Sequence, residues 1–367
     1  MKATMKNPAL NRHQSGSVLI IVLWTAVLLT VLVTAMASKV RLSATTAFHN
    51  QEATSQWAVV MAAINQAEME LMLERMPRPI GEIQEETEEG EIRIPAYRFN
   101  GQPLALNYPA GDNIMVRIYD HAGKINLNRI PRRNMQLLIE KRLGGDDADP
   151  EEVQDLLSAW TDWTDLNDLE GLNGAEKEYY QSLDQPFSPR NNPELDTVDE
   201  LLHVRGFAEL FEGVNLEAAF TIYGNSRTVN LNLASRETMQ LLPGLDDELI
   251  ENIIAYRERE GIQNRAEIGE LVPFENLLKL SSWVGNNTSN IYTIFAYTKL
   301  EWAEGSFAEA PDGDEYTINP DAAVQAYMEI VQVSSFNELP RIYKVEPYGH
   351  LPDTSPARII EYDIDLD

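Results

Sequence analysis

The strongest hydrophobic pattern in the chain runs from Val18 to Ala37: 17 of these 20 residues are apolar, and the others are Thr25, Thr30 and Thr34. No charge lies between Arg12 and Lys39. At about 1.5 Å per residue such a helix reaches roughly 30 Å, the thickness of a bilayer's hydrocarbon core. A helical threonine can return its hydroxyl to a carbonyl one turn back, so lipid tolerates all three. Past the run, residues 44–75 contain neither Pro nor Gly. Apolar positions there at Trp57, Val60, Met61, Ile64, Ala67, Leu71 and Leu73 follow the 3.6-residue period. Pro77 and Pro79 stop the pattern. The reading is one helix of about 55 residues, apolar all round in its first half and amphipathic in its second.

Glu82–Glu91 holds six glutamates in ten residues and reads as a solvated loop. Extended patterns follow at Ile92–Phe99, Leu104–Tyr108 and Ile114–Tyr119, then a turn at Asp120–Lys124. From there to about Val284 the pattern is helical, and it becomes extended again at Ile291–Leu300, Val324–Val333 and Arg341–Glu346. An acidic, Gly- and Pro-containing stretch, 301–323, separates the first two of these. Strands on both sides of a helical block predict an α+β chain, with a large all-α domain inserted into an antiparallel sheet that leans on the amphipathic half of the long helix. The expected organisation is a leader 1–16, the helix 17–76 with its membrane span 18–37 carrying Ile21 and Trp24, sheet 90–124, helical domain 125–286 and sheet 287–367.

The helical block carries an internal repeat. Ile125–Leu138 (INLNRIPRRNMQLL) and Val229–Leu242 (VNLNLASRETMQLL) are identical at 8 of 14 positions. Each reads as an extended N-L-N step whose Asn caps the following helix. After the second copy, Leu242-Pro243-Gly244-Leu245 and the helical pattern from Asp246 are similar to a helix-hairpin-helix motif, and Thr197–Phe211 is a second hairpin of that kind. Such hairpins often grip nucleic-acid phosphate through backbone N–H groups. Here Asp246, Asp247 and Glu248 fill the first helical turn. They suit the helix dipole but occupy the place of a phosphate, so Pro243 and Gly244 are expected to serve packing.

Charge sharpens that exclusion. The chain has 29 Lys+Arg against 58 Asp+Glu, a formal net charge of −29. Residues 1–41 hold five basic groups and no acid, leaving 24 basic and 58 acidic residues beyond them, a net of −34. A domain that acidic repels phosphate backbones. With no Cys there is no disulfide and no thiolate chemistry, and the five scattered His lack a zinc-ligand spacing. The acids do converge at Trp160–Tyr180, WTDWTDLNDLEGLNGAEKEYY. Asp162, Asp165, Asn167, Asp168 and Glu176, with Gly171 and Gly174 for sharp turns, are the oxygen ligands and chain flexibility that a Ca²⁺ cage needs. The spacing is not that of an EF-hand. A solvated acidic loop with helix caps stands beside the metal reading, and a two-carboxylate hydrolase is a third reading for which the rest of a site is missing.

Gly16-Ser17 lies between a short, polar, basic leader and the apolar run. Ala35-Met36-Ala37 leaves open a secretory signal that is cut away. The Gly-Ser junction instead resembles a type IV prepilin leader, in which a peptidase cuts after the Gly and the apolar helix is kept. Ile21 then stands at the fifth mature position, where most members carry Glu. Together with DHAGKINLN at Asp120–Asn128, DWTDLND and GAEKEYY between Asp162 and Tyr180, NPEL at Asn192–Leu195, VDELL at Val198–Leu202 and VNLN at Val229–Asn232, these residues resemble the K-type minor pseudopilin of bacterial type II secretion.

The resemblance implies a pilin-like α+β head on the long helix, interrupted by the helical domain. It implies Ca²⁺ held by the carboxylate loop, with Asp162, Asp165 and Glu176 matching directly and Asn167 standing where Asp is more usual. The implied role is non-enzymatic: with the I- and J-type minor pseudopilins the protein forms the tip that starts the pseudopilus, which is continued by the major pseudopilin. A prepilin peptidase processes and methylates such a chain. It sits in the inner membrane with a single pass, N-terminus cytoplasmic and head periplasmic. An ordinary subunit uses its Glu to pair with a neighbour's N-terminal amine inside lipid; Ile21 needs no such neighbour, which suits a first subunit. The hairpins suggest the alternative, a membrane-anchored DNA receptor of competence type.

Overall fold

The structure is a computed structural model, and it describes residues 15–76, 99–104, 106, 114–189, 192–259, 261–298 and 326–347. Residues 1–14 of the predicted leader, Pro77 and Pro79, the glutamate-rich stretch 82–91, the extended pattern at 92–98 and the 301–323 stretch lie outside the described residues. The chain divides into two compact units, residues 1–58 and 59–367.

The first unit is helical from Ser15 onward, as part of the 60-residue helix α1, Ser15–Glu74. Its apolar run is exposed throughout, Ile21 at 61% and Trp24 at 69%. Thr25, Thr30 and Thr34 donate to the carbonyls of Val22, Ala26 and Thr30, so each hydroxyl is satisfied without water, as the sequence predicts. Among the described residues this is the one helix long and apolar enough to cross a membrane.

In the second unit the remainder of α1 packs on a sheet. Val60, Ala63, Ile64, Ala67 and Leu71 are at most 1% exposed. This narrows the predicted stripe: Trp57 and Leu73 lie outside it at 49% and 39% exposure, and Ala63 belongs to it. The sheet has five strands in the order β1 (Asn100–Pro103), β2 (Ile114–Asp120), β5 (Ile291–Thr298), β6 (Ala326–Gln332), β7 (Arg341–Pro347), and every neighbouring pair is antiparallel. β1 falls between two predicted strands; Leu104 and Leu106 pack beside the core, and Leu104 N–H donates to the Val116 carbonyl of β2. Val116, Ile118, Tyr292, Ile294, Ala296, Tyr327 and Val331 carry the core beneath α1.

Under α1 the sheet also buries a carboxylate. Glu329 of β6 is 2% exposed, is hydrogen-bonded to Glu68 of α1, and has one oxygen without a partner. Burial first, and then the Glu68 charge, push its pKa from an ordinary 4.5 up to about 7. A folded-state pKa raised in this way contributes stability below about pH 4.5 that is lost as pH rises through about 7. Glu329→Gln keeps a neutral donor toward Glu68 and removes the titration. It is therefore expected to flatten the stability loss between pH 5 and 8 and to gain about 2 kcal/mol at pH 8 in urea unfolding. An unchanged pH slope would refute the raised Glu329 pKa.

Between β2 and β5 runs a largely helical stretch: α2 (Arg132–Arg142), α3 (Pro150–Trp163), α4 (Lys177–Gln181), α5 (Phe207–Leu210), α6 (Leu216–Ala219), α7 (Arg236–Leu241), α8 (Asp247–Arg259), α9 (Arg265–Leu271) and α10 (Phe274–Leu280). It has its own core around Met135, Leu138, Ile139, Phe207, Phe220, Leu242 and Trp283. It is not wholly helical: β3 (Ile125–Asn126) and β4 (Phe220–Thr221) form a parallel pair, and Val229 bridges to Val284.

The two N-L-N steps adopt one arrangement. In each, the first Asn accepts from the N–H of the second, Asn126 from Asn128 and Asn230 from Asn232. The second Asn then clasps a distant residue by both backbone groups. Asn128 holds Leu195, and Asn232 holds Ile262, each donating to the carbonyl and accepting from the N–H. These asparagines therefore do not cap the next helix as predicted. Pro131 and Ser235 hold the N-cap positions, and Ser235 accepts from Thr238 N–H. Buried amides are costly unless all their bonds are met, and a two-pronged backbone clasp meets them.

Candidate metal centre

Helix α3 begins with a complete cap: Asp149 accepts from Glu151 N–H, Pro150 opens the first turn, and Glu151 and Glu152 favour the dipole. Its apolar face buries Val153, Leu157, Trp160 and Trp163. Trp163 packs edge-on to Tyr180 of α4, ring centroids 5.2 Å apart, which fixes the two helix ends on either side of the acidic loop. Asp162 thus leaves the last turn of α3, and Glu176 is the residue before α4.

The loop wraps around Asp162. That carboxylate accepts from the N–H groups of Gly171 and Ala175. A Cβ added to Gly174 would lie 1.8 Å from Asp162 Oδ2, so the tight curl requires glycine there. Asp165 accepts from the backbone N–H and side-chain amide of Asn167, and Asn167 Oδ1 accepts from Leu169 N–H. Arg205 donates to the carbonyls of Asn173 and Gly174, and Asn173 donates to Asp155.

Carboxylate oxygens of Asp162, Asp165 and Glu176 lie within 4.8 Å of one another. Asp162 is 5% exposed and Glu176 4%, and both Glu176 oxygens are buried without a hydrogen-bond partner. Burial, then the charges of Asp162, Asp165 and Asp168, push the Glu176 pKa from 4.5 up to about 7. Two orphaned carboxyl oxygens facing two more carboxylates form an all-oxygen donor set suited to a hard divalent cation. Of the five predicted ligands, the structure brings these three together. Asp168 is exposed and outside the triad, and Asn167 is exposed, with its amide on Asp165. Sequence reading missed the supporting Arg205 and Asp155, which reach the loop from elsewhere in the chain.

The other residues singled out fall in different places. Pro243 and Gly244 lie between α7 and α8, where Asn276 of α10 donates to the Gly244 carbonyl. A Cβ on Gly244 would lie 2.5 Å from the Asn276 carbonyl oxygen. This turn is packed against protein. Gly16 and Ser17 fall in the first turn of α1. The Asp120–Lys124 turn is a buried polar junction. Asp120 accepts from the N–H groups of Ala122 and Ser289, both ring nitrogens of His121 bond to threonine hydroxyls, and Lys124 Nζ donates to the Glu217 carbonyl and to Thr293. Burial lowers the Lys124 pKa to about 8.

These features define a class: a chain with one apolar N-terminal helix, an antiparallel sheet packed on that helix's second half, and a helical stretch between strands holding a carboxylate loop. Residues 123–211, which include the whole carboxylate loop, match the family model of the type II secretion system, protein K. A solved structure, the GspK-GspI-GspJ complex from the enterotoxigenic Escherichia coli type 2 secretion system, is similar at 13% identity and a TM-score of 0.49, covering 82% of this chain and 98% of that one. No curated protein matches the sequence.

Proposed function

We propose that this protein is the K-type minor pseudopilin of a type II secretion system, a non-enzymatic subunit that joins I- and J-type minor pseudopilins in the tip that starts the pseudopilus. The observation that carries this reading is the protein K domain at 123–211 on a chain that begins with an exposed apolar helix. The helix supplies an anchor in the inner membrane, with the N-terminus cytoplasmic and the acidic head in the periplasm. Gly16-Ser17 is the junction a prepilin peptidase would cut, and the major pseudopilin continues the filament below. The helical stretch between β2 and β5 serves as a domain set into the pilin-like sheet, its hairpins used for packing.

Asp162, Asp165 and Glu176 would hold Ca²⁺, whose charge would neutralise the three carboxylates and tie the end of α3 to the start of α4. The orphaned oxygens of Glu176 support this assignment.

Co-expression with a prepilin peptidase followed by N-terminal sequencing tests the reading. The expected mature protein starts at Ser17 and co-purifies with the I- and J-type partners. A start at or beyond Ala37 would mean a cleaved secretory signal and would sink the proposal.

A further inference from the structure

The loop between α3 and α4 turns three leucines outward: Leu166 is 74% exposed, Leu169 79% and Leu172 83%. This loop is held in place. The Asp165–Asn167–Leu169 bonds, the Gly171 N–H on Asp162 and the Arg205 bonds to the Asn173 and Gly174 carbonyls pin it along its length. A pinned loop that keeps three apolar side chains in water is a contact surface waiting for a counterpart. Acids alternate with the leucines, at Asp165, Asp168 and Glu170. Beside the loop lies a cleft of about 510 Å³, with Glu152, Asp155 and Glu170 around it and Leu156 in its lining. Arg205, which also lines it, is engaged with the two loop carbonyls and the Tyr179 ring.

We propose that this loop and its cleft dock a protein partner presenting an apolar depression with Lys or Arg at its rim. The leucines enter the depression, and a basic side chain enters the acidic cleft. Charge selects this occupant. A second copy of a chain of net charge −29, an anionic lipid surface and a nucleic acid all carry the sign of the cleft. The leucines supply the desolvated anchor, and the acids supply orientation and rate.

The test uses the full chain in detergent, titrated with a short fluorescent peptide of alternating leucine and lysine turns, and with the same peptide carrying glutamate for lysine. The lysine peptide is expected to bind and the glutamate peptide is not. L166S/L169S/L172S keeps every charge, so it separates the leucines from the general acidity of the head. It is expected to weaken the lysine peptide about tenfold or more, while E152Q/E170Q weakens it and flattens its salt dependence. Circular-dichroism melting of each variant, matched to the parent, assures that the fold is kept. Equal binding by the triple-serine variant, equal binding of the glutamate peptide, or a leucine-dependent dimer in sedimentation would each overturn the proposal.

Discussion

Millimolar calcium is expected to raise the melting temperature of the detergent-solubilised chain by about 5–10 °C, and Glu176→Gln to abolish the rise. A ligand at about 100 times its Kd stabilises the folded state by about 2.7 kcal/mol, and each kcal/mol moves the melting point of a domain this size by about 2–4 °C. The metal-free protein keeps a proton on Glu176 up to about pH 7. Its raised folded pKa gives stability below about pH 4.5 that disappears as pH passes about 7. A cation must displace that proton, so the calcium-dependent rise should be larger at pH 8 than at pH 6. Glu176→Gln removes both the proton competition and a charged ligand. By calorimetry its melting point should be the same in calcium and in EDTA. If the parent also melts identically in calcium and EDTA, the metal assignment fails.

The second large effect is expected at Gly123. A Cβ there would come 2.3 Å from the Leu233 carbonyl oxygen and 2.8 Å from the Ala234 nitrogen. Both are backbone atoms of the second N-L-N copy, and neither can rotate away. Asn230 N–H donates to the Ala122 carbonyl beside this contact, so the Asp120–Lys124 turn and the second copy cannot separate without losing a buried bond. Gly123→Ala should therefore destabilise the fold by about 3 kcal/mol in urea unfolding, at the upper end for an added methyl group. Gly213→Ala, where nothing lies within 4 Å, adds a Cβ with no clash. It still carries the penalty of its positive φ of 77°, so it measures backbone strain without overpacking. If both lose the same amount, close packing is not the cause at Gly123.

Much of this architecture was legible because it rests on local pattern. The 3.6-residue stripe of α1, the β-branched run of β2 and the glycine-acid spacing of the carboxylate loop are visible within a few turns of chain. What escaped depends on residues far apart. β1 has the sequence Asn-Gly-Gln-Pro, with no apolar alternation, and becomes a strand because β2 offers it an edge. The second asparagine of each N-L-N step looks like a cap because a helix follows it closely in sequence, yet its partner sits at Leu195 or Ile262. At the candidate site, Asp162, Asp165 and Glu176 stand among the wider set of oxygen ligands that the loop's acids and glycines suggest, and the family resemblance matches these three directly. The outward position of Asn167 and Asp168, and the support from Arg205 and Asp155, depend on how the loop curls and on what packs behind it.

The Asn128 clasp on Leu195 also divides the chain in an evolutionary sense. It ties together two residues 67 positions apart, the ends of a segment that contains the entire carboxylate loop. Once such a ring is closed, its length matters little: four extra residues cost well under ~0.1 kcal/mol of closure entropy. The fold therefore tolerates insertions in the outward-facing part of that ring, between Asp165 and Gly171, without losing the register of the sheet or the second core. Stability and contact specificity can then change independently, because the residues that hold the ring shut are not the ones it displays.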